Sequence, residues 1–128
     1  MNIIDISRDI LTAPVYEGDP EPKIKQFLSI DNGDECNLSA LYICLHNGTH
    51  ADAKSHFLND GLTIDQMPLD AFIGPCVVME FSGEVITGET VEKYIPDDCE
   101  RLLIKSNSKV ALHESAVYEL ADKGVKLI

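Results

Sequence analysis

The sequence predicts one mixed α/β domain covering residues 1–128, a length that suits a single hydrophobic core. Two patterns indicate this fold class. The first half carries β runs separated by turn residues, as in an antiparallel meander. The last part reads as strand, helix and strand, which is typical of a right-handed βαβ crossover with two parallel strands.

The first half is predicted to contain three strands. Residues 2–7 alternate apolar and polar side chains, and residues 23–30 do the same. Between them, three prolines and one glycine make residues 12–22 a loop. An Asn-Gly-Asp turn then reverses the chain, and residues 38–45 form a β run that leads directly into His46.

The second half is predicted to alternate strands with short helices. The predicted strands are residues 76–81, 101–105 and 125–128, and the predicted helices are residues 68–72, 87–94 and 113–123. Thr87 is of a type that caps helix N-termini. Pro96 and Gly124 are typical of positions just after a helix ends.

The formal net charge of -12 bears on the partners of the protein. It argues against nucleic acid and against an anionic membrane, because both need clustered Lys and Arg. We interpret the acidic balance as a contribution to solubility.

The four cysteines show no metal-binding or redox spacing. Cys44 and Cys76 lie inside apolar runs and are predicted to be small buried hydrophobic residues. The N-terminal residues do not resemble a signal peptide, and no apolar run reaches membrane-spanning length. We therefore expect a cytoplasmic protein with free thiols.

Three of the four histidines fall close together after the third predicted strand. On an extended backbone, His46, His50, Asp52 and His56 would all point the same way. Imidazole nitrogens and a carboxylate on one side predict a catalytic metal site with room left for a base. A helix would also bring the first two histidines together, but Gly48 and the preceding β run disfavour one. The alternative is a polar surface loop that binds nothing.

Read as H-x-G-T-H-x-D-x-x-x-H-F, residues 46–57 resemble the signature of the cyclase family. That family includes metal-dependent kynurenine formamidases and isatin hydrolases. Residues 14–20 resemble the early proline-glycine-aspartate loop of the family, and further matches lie at Gly61, Ile64-Asp65, Pro68-Leu69, Gly74-Pro75 and residues 115–124. The resemblance implies a swivelling β/β/α fold and hydrolysis of an amide by metal-activated water.

The resemblance also implies roles for individual residues. His46, His50 and Asp52 match the metal ligands of the family, with Asp52 at a position that can bridge two ions, and His56 matches its general acid/base. The implied cofactor is a divalent metal, zinc or alternatively manganese. The implied substrate is a small-molecule amide such as N-formylkynurenine or a related cyclic or acyl amide. The implied assembly is a homodimer or a higher homo-oligomer.

The chain departs from the family pattern at three places. Lys54 stands where the family usually has proline, and we predict that a kink turns it toward solvent. Pointing inward, it would either help to bind an anionic substrate or repel the metal. Family members also continue beyond the position matching Ile128, where they supply a further histidine and often a glutamate to the metal centre. His113 is not expected to replace that histidine, because it aligns with the start of the last helix. Residues 107–112 are brief where many formamidases carry a longer, aromatic-rich segment.

Two classes of function therefore follow from the sequence. One is a metal-dependent amidohydrolase of the arylformamidase kind. The other is a non-catalytic metal-binding or assembly domain that lacks the second half of the active site. A third possibility lies between these two, in which groups from a neighbouring subunit complete the site.

Overall fold

The computed structural model describes residues 2–128. The chain forms two compact units, one ending at Ile64 and one beginning at Asp65. Both contain short strands, and the second also contains two α-helices. Short 3₁₀ helices occupy Ile30–Asn32, Lys54–His56, Ile64–Gln66 and Leu69–Ala71. The predicted mixed α/β class is confirmed. Within residues 2–128, no helix is both long and apolar enough to cross a membrane.

An antiparallel hairpin of two strands, β1 (Lys23–Leu28) and β2 (Leu38–Tyr42), forms the sheet of the first unit. The chain reverses after β1 through a 3₁₀ turn that ends at Gly33, whose φ of 91° favours a residue without Cβ. Asp34 helps to close this turn, since its carboxylate accepts a hydrogen bond of 2.7 Å from the Ser29 N–H. Both strands are slightly shorter than predicted, because turns begin where the sequence still alternates.

The predicted strand at residues 2–7 is wrong, because the described part of this segment has no strand. Acidic side chains within this segment and just after it satisfy backbone donors locally instead. Asp5 accepts a hydrogen bond of 2.9 Å from the Ser7 N–H, and Asp9 accepts one of 2.8 Å from the Leu11 N–H. Such local side-chain bonds compete with strand pairing.

The second unit is built on parallel strand pairs. In chain order it contains β3 (Val77–Glu80), β4 (Val85–Ile86), α1 (Gly88–Tyr94), β5 (Leu102–Lys105), β6 (Ala111–Leu112) and α2 (Glu114–Asp122). Strand β3 pairs in parallel with β5, and β4 pairs in parallel with β6. After α2 the chain returns to the sheet, where Leu127 forms a parallel bridge with Arg101. The predicted strand–helix–strand crossover is confirmed, although its last strand is reduced to this single bridge.

The hydrophobic core of the second unit lies between its strands and helices. Ile86, Val91 and Leu102 are the largest fully buried side chains, and Met79, Ile95, Cys99, Ala116 and Leu120 complete the cluster. Burying a side chain of the size of leucine or isoleucine contributes about 1.5–3 kcal/mol to the free energy of unfolding. This core fixes both helices on the sheet.

Side chains cap both helices, by a predicted threonine at α1 and by a histidine that the sequence had placed inside α2. Thr87 caps α1, since its hydroxyl accepts a hydrogen bond of 3.4 Å from the Thr90 N–H. His113 caps α2, since its Nδ1 accepts one of 3.2 Å from the Ser115 N–H. Gly124 follows α2 with a φ of 76°, the left-handed conformation expected beyond a helix end.

A buried arginine ties the segment before β3 to the start of β5. The Arg101 guanidinium donates hydrogen bonds to the carbonyls of Asp70, Ala71 and Pro75, and it pairs with Glu100 at 2.9 Å. Such pairing is what makes a buried charge tolerable. Hydrogen bonds from Lys126, together with its charge, lower the pKa of both Asp70 and Glu100.

The four cysteines are free, but one burial prediction for them is wrong. Cys76 is exposed, because it follows Pro75 and precedes the first residue of β3. Cys44 is half-buried, and its thiol donates a hydrogen bond of 3.3 Å to an Asp19 carboxylate oxygen. The buried thiol is that of Cys99.

Candidate metal centre

The histidine cluster lies on turns beyond the end of β2. The Asn47 N–H donates to the Cys44 carbonyl at 3.1 Å and closes a tight turn. Gly48 follows with a φ of 67°, a left-handed conformation that costs glycine little. The prediction of an extended backbone is therefore wrong here. Turns bring these side chains together, and not the alternation of side chains along a strand.

Three of the predicted site residues converge on one point. One ligand atom each of His46, His50 and Asp52 lies within 4.8 Å of the others. His46 Nδ1 is 3.0 Å from Asp52 Oδ1, and His50 Nε2 is 3.7 Å from the same oxygen. Two ligands that each lie about 2.1 Å from a metal ion, at angles between square and tetrahedral, are about 3.0–3.4 Å apart. The His46–Asp52 pair falls within this range and the His50–Asp52 pair lies slightly beyond it, so the donor types suit a divalent ion while the spacing is that of a looser cluster.

A backbone contact selects the tautomer of His50. Its Nδ1 lies 3.0 Å from the Gly48 carbonyl oxygen, which can only accept a hydrogen bond. Nδ1 must then carry the proton, and Nε2 keeps its lone pair for a metal. At His46 it is Nδ1 that faces Asp52, so this nitrogen has to give up any proton before it can act as a ligand.

The cluster is open to solvent on one side. The side chains of His46, His50 and Asp52 keep 38%, 30% and 41% of their surface exposed. An exposed three-ligand group leaves space for water and a substrate, as catalytic metal sites do. Closed structural sites use a fourth protein ligand instead.

His56 lies beside the ligand group without belonging to it. The centroid of its ring is 4.2 Å from that of His46, with 42° between the ring planes. The short 3₁₀ helix Lys54–His56 presents this imidazole, and the centroid of the exposed Phe57 ring also lies 4.2 Å from that of His56. The structure thus places a free imidazole next to three potential metal ligands.

Lys54 begins that 3₁₀ helix, immediately after the extended residue Ala53. A change of backbone direction therefore occurs where the kink was predicted, and Lys54 is exposed. Gly61 makes this corner possible. A Cβ at Gly61 would lie 2.6 Å from the Lys54 carbonyl carbon, and the Ser55 N–H bonds the neighbouring Leu62 carbonyl at 3.1 Å.

The loop between His46 and His50 rests on residues 8–10, a contact that the sequence did not reveal. The side-chain amide of Asn47 is buried and donates to the Ile10 carbonyl at 2.5 Å. The Thr49 hydroxyl accepts a hydrogen bond of 2.8 Å from the Arg8 N–H. The only sequence signal was a pair of polar residues flanking a glycine, and it did not identify their partner.

His113 takes no part in this ligand group, which lies wholly in the first unit. It is exposed at the N-terminus of α2, as predicted. Its ring is occupied by the helix cap, because Nδ1 lies 2.9 Å from the Ser115 hydroxyl and also accepts the Ser115 N–H.

A groove of about 630 Å³ opens at the carboxyl ends of β3 and β5 within the second unit. Ser82, Ser106, Asn107 and Ser108 line it, together with the ion pair of Lys105 and Glu80 and with Phe81. The loop after β5 is therefore short and polar.

The family model Cyclase, described as "Putative cyclase", matches residues 4–128. A kynurenine formamidase of Salinibacter ruber is 32% identical over 144 residues, covering 100% of this chain and 68% of the relative. One of Delftia acidovorans is 34% identical over 136 residues, covering 97% and 65%.

A solved structure resembles the chain as well. It is described as "The structure of predicted metal-dependent hydrolase from Bacillus stearothermophilus" and superposes with a TM-score of 0.60 at 25% identity. The match covers 90% of this chain and 63% of that one. The chain thus spans about two thirds of the length of the proteins it matches.

Proposed function

The chain belongs to the cyclase family, and we propose that it acts as a metal-dependent hydrolase of a C–N amide bond. The proposed substrate is N-formylkynurenine or a related cyclic or acyl amide, because its relatives include kynurenine formamidases. One observation carries the proposal: His46, His50 and Asp52 converge with His56 beside them.

In this proposal, His46 Nδ1, His50 Nε2 and the Asp52 carboxylate hold a divalent ion, zinc or alternatively manganese. A divalent ion bound there supplies the Lewis acidity that makes water a nucleophile near neutral pH. The hydrogen bond at His50 Nδ1 supports this role, since it fixes the ring with Nε2 toward Asp52.

His56 is the proposed general acid/base. Its imidazole accepts the proton of the attacking water and then donates it to the leaving nitrogen as the C–N bond breaks. For a formamide the products are formate and the free amine. The position of the ring supports this role, because it lies next to His46 but outside the ligand group.

Two finer features of the family belong to the same proposal. These are the swivelling β/β/α arrangement and assembly as a homodimer or higher homo-oligomer. Light scattering on the purified protein measures the second directly. A further histidine from elsewhere in the natural assembly would add a ligand to the three described here.

Metal content and amide hydrolysis test the proposal together. The purified protein is loaded with zinc or manganese and assayed on N-formylkynurenine, on lactams and on small non-aromatic formamides. The last group is included because the loop after β5 is short and polar. We expect His56→Gln to lower kcat by about 10²–10⁴-fold while the bound metal is retained. We expect His50→Ala to lose the metal as well.

His113→Asn is the matched control for these substitutions. It removes a histidine outside the cluster, and asparagine still serves as a helix cap. Activity and metal content should remain at the level of the unsubstituted protein. Absence of both bound metal and turnover in that protein would overturn the proposal. Stoichiometric metal without hydrolysis of any amide would instead favour the non-catalytic metal-binding domain.

A further inference from the structure

The loop between His46 and His50 has three residues, and each of them contacts the segment Arg8–Ile10. The Asn47 amide donates to the Ile10 carbonyl, and the Thr49 hydroxyl and N–H bond the Arg8 backbone at 2.8 and 3.4 Å. A Cβ on the glycine between them would lie 3.0 Å from the Ile10 side chain and 3.1 Å from the Arg8 carbonyl oxygen. Segment and loop are therefore in direct backbone contact.

The contacts with Arg8–Ile10 largely determine the backbone conformation of residues 47–49. One backbone hydrogen bond within it, from the Asn47 N–H to the Cys44 carbonyl, closes its first turn. Asn47 is 5% exposed, the lowest exposure among the described residues of the first unit. A buried amide loses free energy unless it is hydrogen-bonded, so the position of Asn47 depends on the Ile10 carbonyl.

The conformation of this loop in turn determines the positions of the His46 and His50 imidazoles. His46 and His50 lie at its ends, and the carbonyl that orients His50 belongs to Gly48 at its centre. A displaced Asn47 or Thr49 would move that carbonyl and the Cα atoms of both histidines. Ligand atoms held 3.0–3.7 Å from Asp52 Oδ1 depend on this backbone.

We propose that Asn47 and Thr49 are positioning residues of the metal centre, and that residues 8–10 form the support against which they hold the two histidine ligands. The inference rests on the metal site of the proposed function. It predicts that loss of the Thr49 hydroxyl lowers metal affinity although no ligand is changed. By reciprocity, a bound metal must also stabilise the contact with residues 8–10.

Thr49→Val and Thr49→Ser form the decisive pair. Valine keeps the branched shape of threonine but cannot accept the Arg8 N–H, whereas serine keeps the hydroxyl. We expect Thr49→Val to weaken Co²⁺ and Zn²⁺ binding by about tenfold to a hundredfold, and Thr49→Ser to restore most of it. Calorimetry measures the affinity, and the visible absorption of bound Co²⁺ reports the ligand geometry.

Asn47→Ala should act in the same direction, with Asn32→Ala as its control. Asn32 lies in the hairpin turn of the same unit and is exposed, so its loss should leave metal affinity unchanged. Circular dichroism establishes that each variant is folded before its affinity is compared. Hydrogen exchange of the full chain gives the reciprocal readout: metal should slow exchange at the Arg8 and Thr49 amides but not at Gly33.

The outcomes separate this inference from the proposed function. If the unsubstituted protein binds no metal, the proposed function fails and takes the inference with it. If it binds metal, and folded Thr49→Val binds as tightly with the same Co²⁺ spectrum, the inference alone is overturned. Equal losses in Thr49→Val and Thr49→Ser would also contradict it, since the hydroxyl would then not be the cause.

Discussion

The two compact units differ in the interactions that hold them together. From Asp65 onward, Ile86, Val91 and Leu102 are fully buried in a shared core. Up to Ile64, by contrast, Leu45 and Phe57 are 81% and 83% exposed, and hydrogen bonds from side chains to backbone define the turns. The comparison teaches that the potential metal ligands sit on a hydrogen-bonded framework, while apolar burial is concentrated in the unit that carries none of them.

The largest expected effect comes from the core of the second unit. Leu102→Ala should lower the free energy of unfolding by about 2–5 kcal/mol, because it leaves a cavity beneath β5. Leu45→Ala, at an exposed leucine of the first unit, should change it by less than about 0.5 kcal/mol. Urea unfolding followed by circular dichroism measures both. Equal losses would break the comparison, since Leu45 would then belong to a core.

A smaller effect is expected at the corner that carries His56. Gly61→Ala places a Cβ against the Lys54 backbone, which cannot move aside as a flexible side chain can. We expect a loss of about 1–3 kcal/mol, with faster hydrogen exchange confined to peptides of the first unit. Faster exchange in peptides of β5 or α2 would contradict the separate origin of stability in the two units.

The smallest effect concerns the ion pairs of the second unit. The pKa values of Asp70 and Glu100 are lowered from 3.8 and 4.5, chiefly by hydrogen bonds from Lys126. The stability that these two carboxylates contribute is therefore fully present at pH values above their ordinary pKa values. It is lost as the pH falls through their lowered pKa values in the folded protein. Lys126→Met should remove this acid-sensitive contribution. The difference in the free energy of unfolding between this variant and the unsubstituted protein should then become smaller as the pH falls below 3.8.

Chemical denaturation at several pH values measures this difference in the free energy of unfolding. Both ion pairs of Lys126 are exposed, so added salt should also reduce the difference in the free energy of unfolding near neutral pH. A difference that stays constant from pH 7 to the acid limit would contradict an origin in these ion pairs.

Sequence patterns predicted the elements whose causes are local. The Thr87 cap, the helix after His113 and the parallel return of the last apolar run all follow from residues close together in the chain. The side chains of His46, His50 and Asp52 converge, as the sequence predicted, although the backbone that brings them together turns instead of running extended. Counting alternate residues pointed to the same cluster even with the wrong backbone, because these residues are close in sequence.

The errors and omissions arise where distant residues decide the outcome. Nothing near Asn47 signals that its partner is Ile10, 37 positions earlier in the chain. The strand predicted at residues 2–7 failed because Asp5 offers the backbone a local acceptor. Cys76 shares the apolar character of β3 but precedes it, and only the three-dimensional structure shows it to be exposed.

The exposed thiols have a practical consequence. Cys36 lies in the first unit and Cys76 in the second, and both are exposed, while Cys99 is buried. The chain therefore carries one natural attachment point for a spin label or fluorophore in each unit. With half-buried Cys44 replaced by serine, a doubly labelled protein would report the distance between the units during a metal titration, with no engineered cysteine.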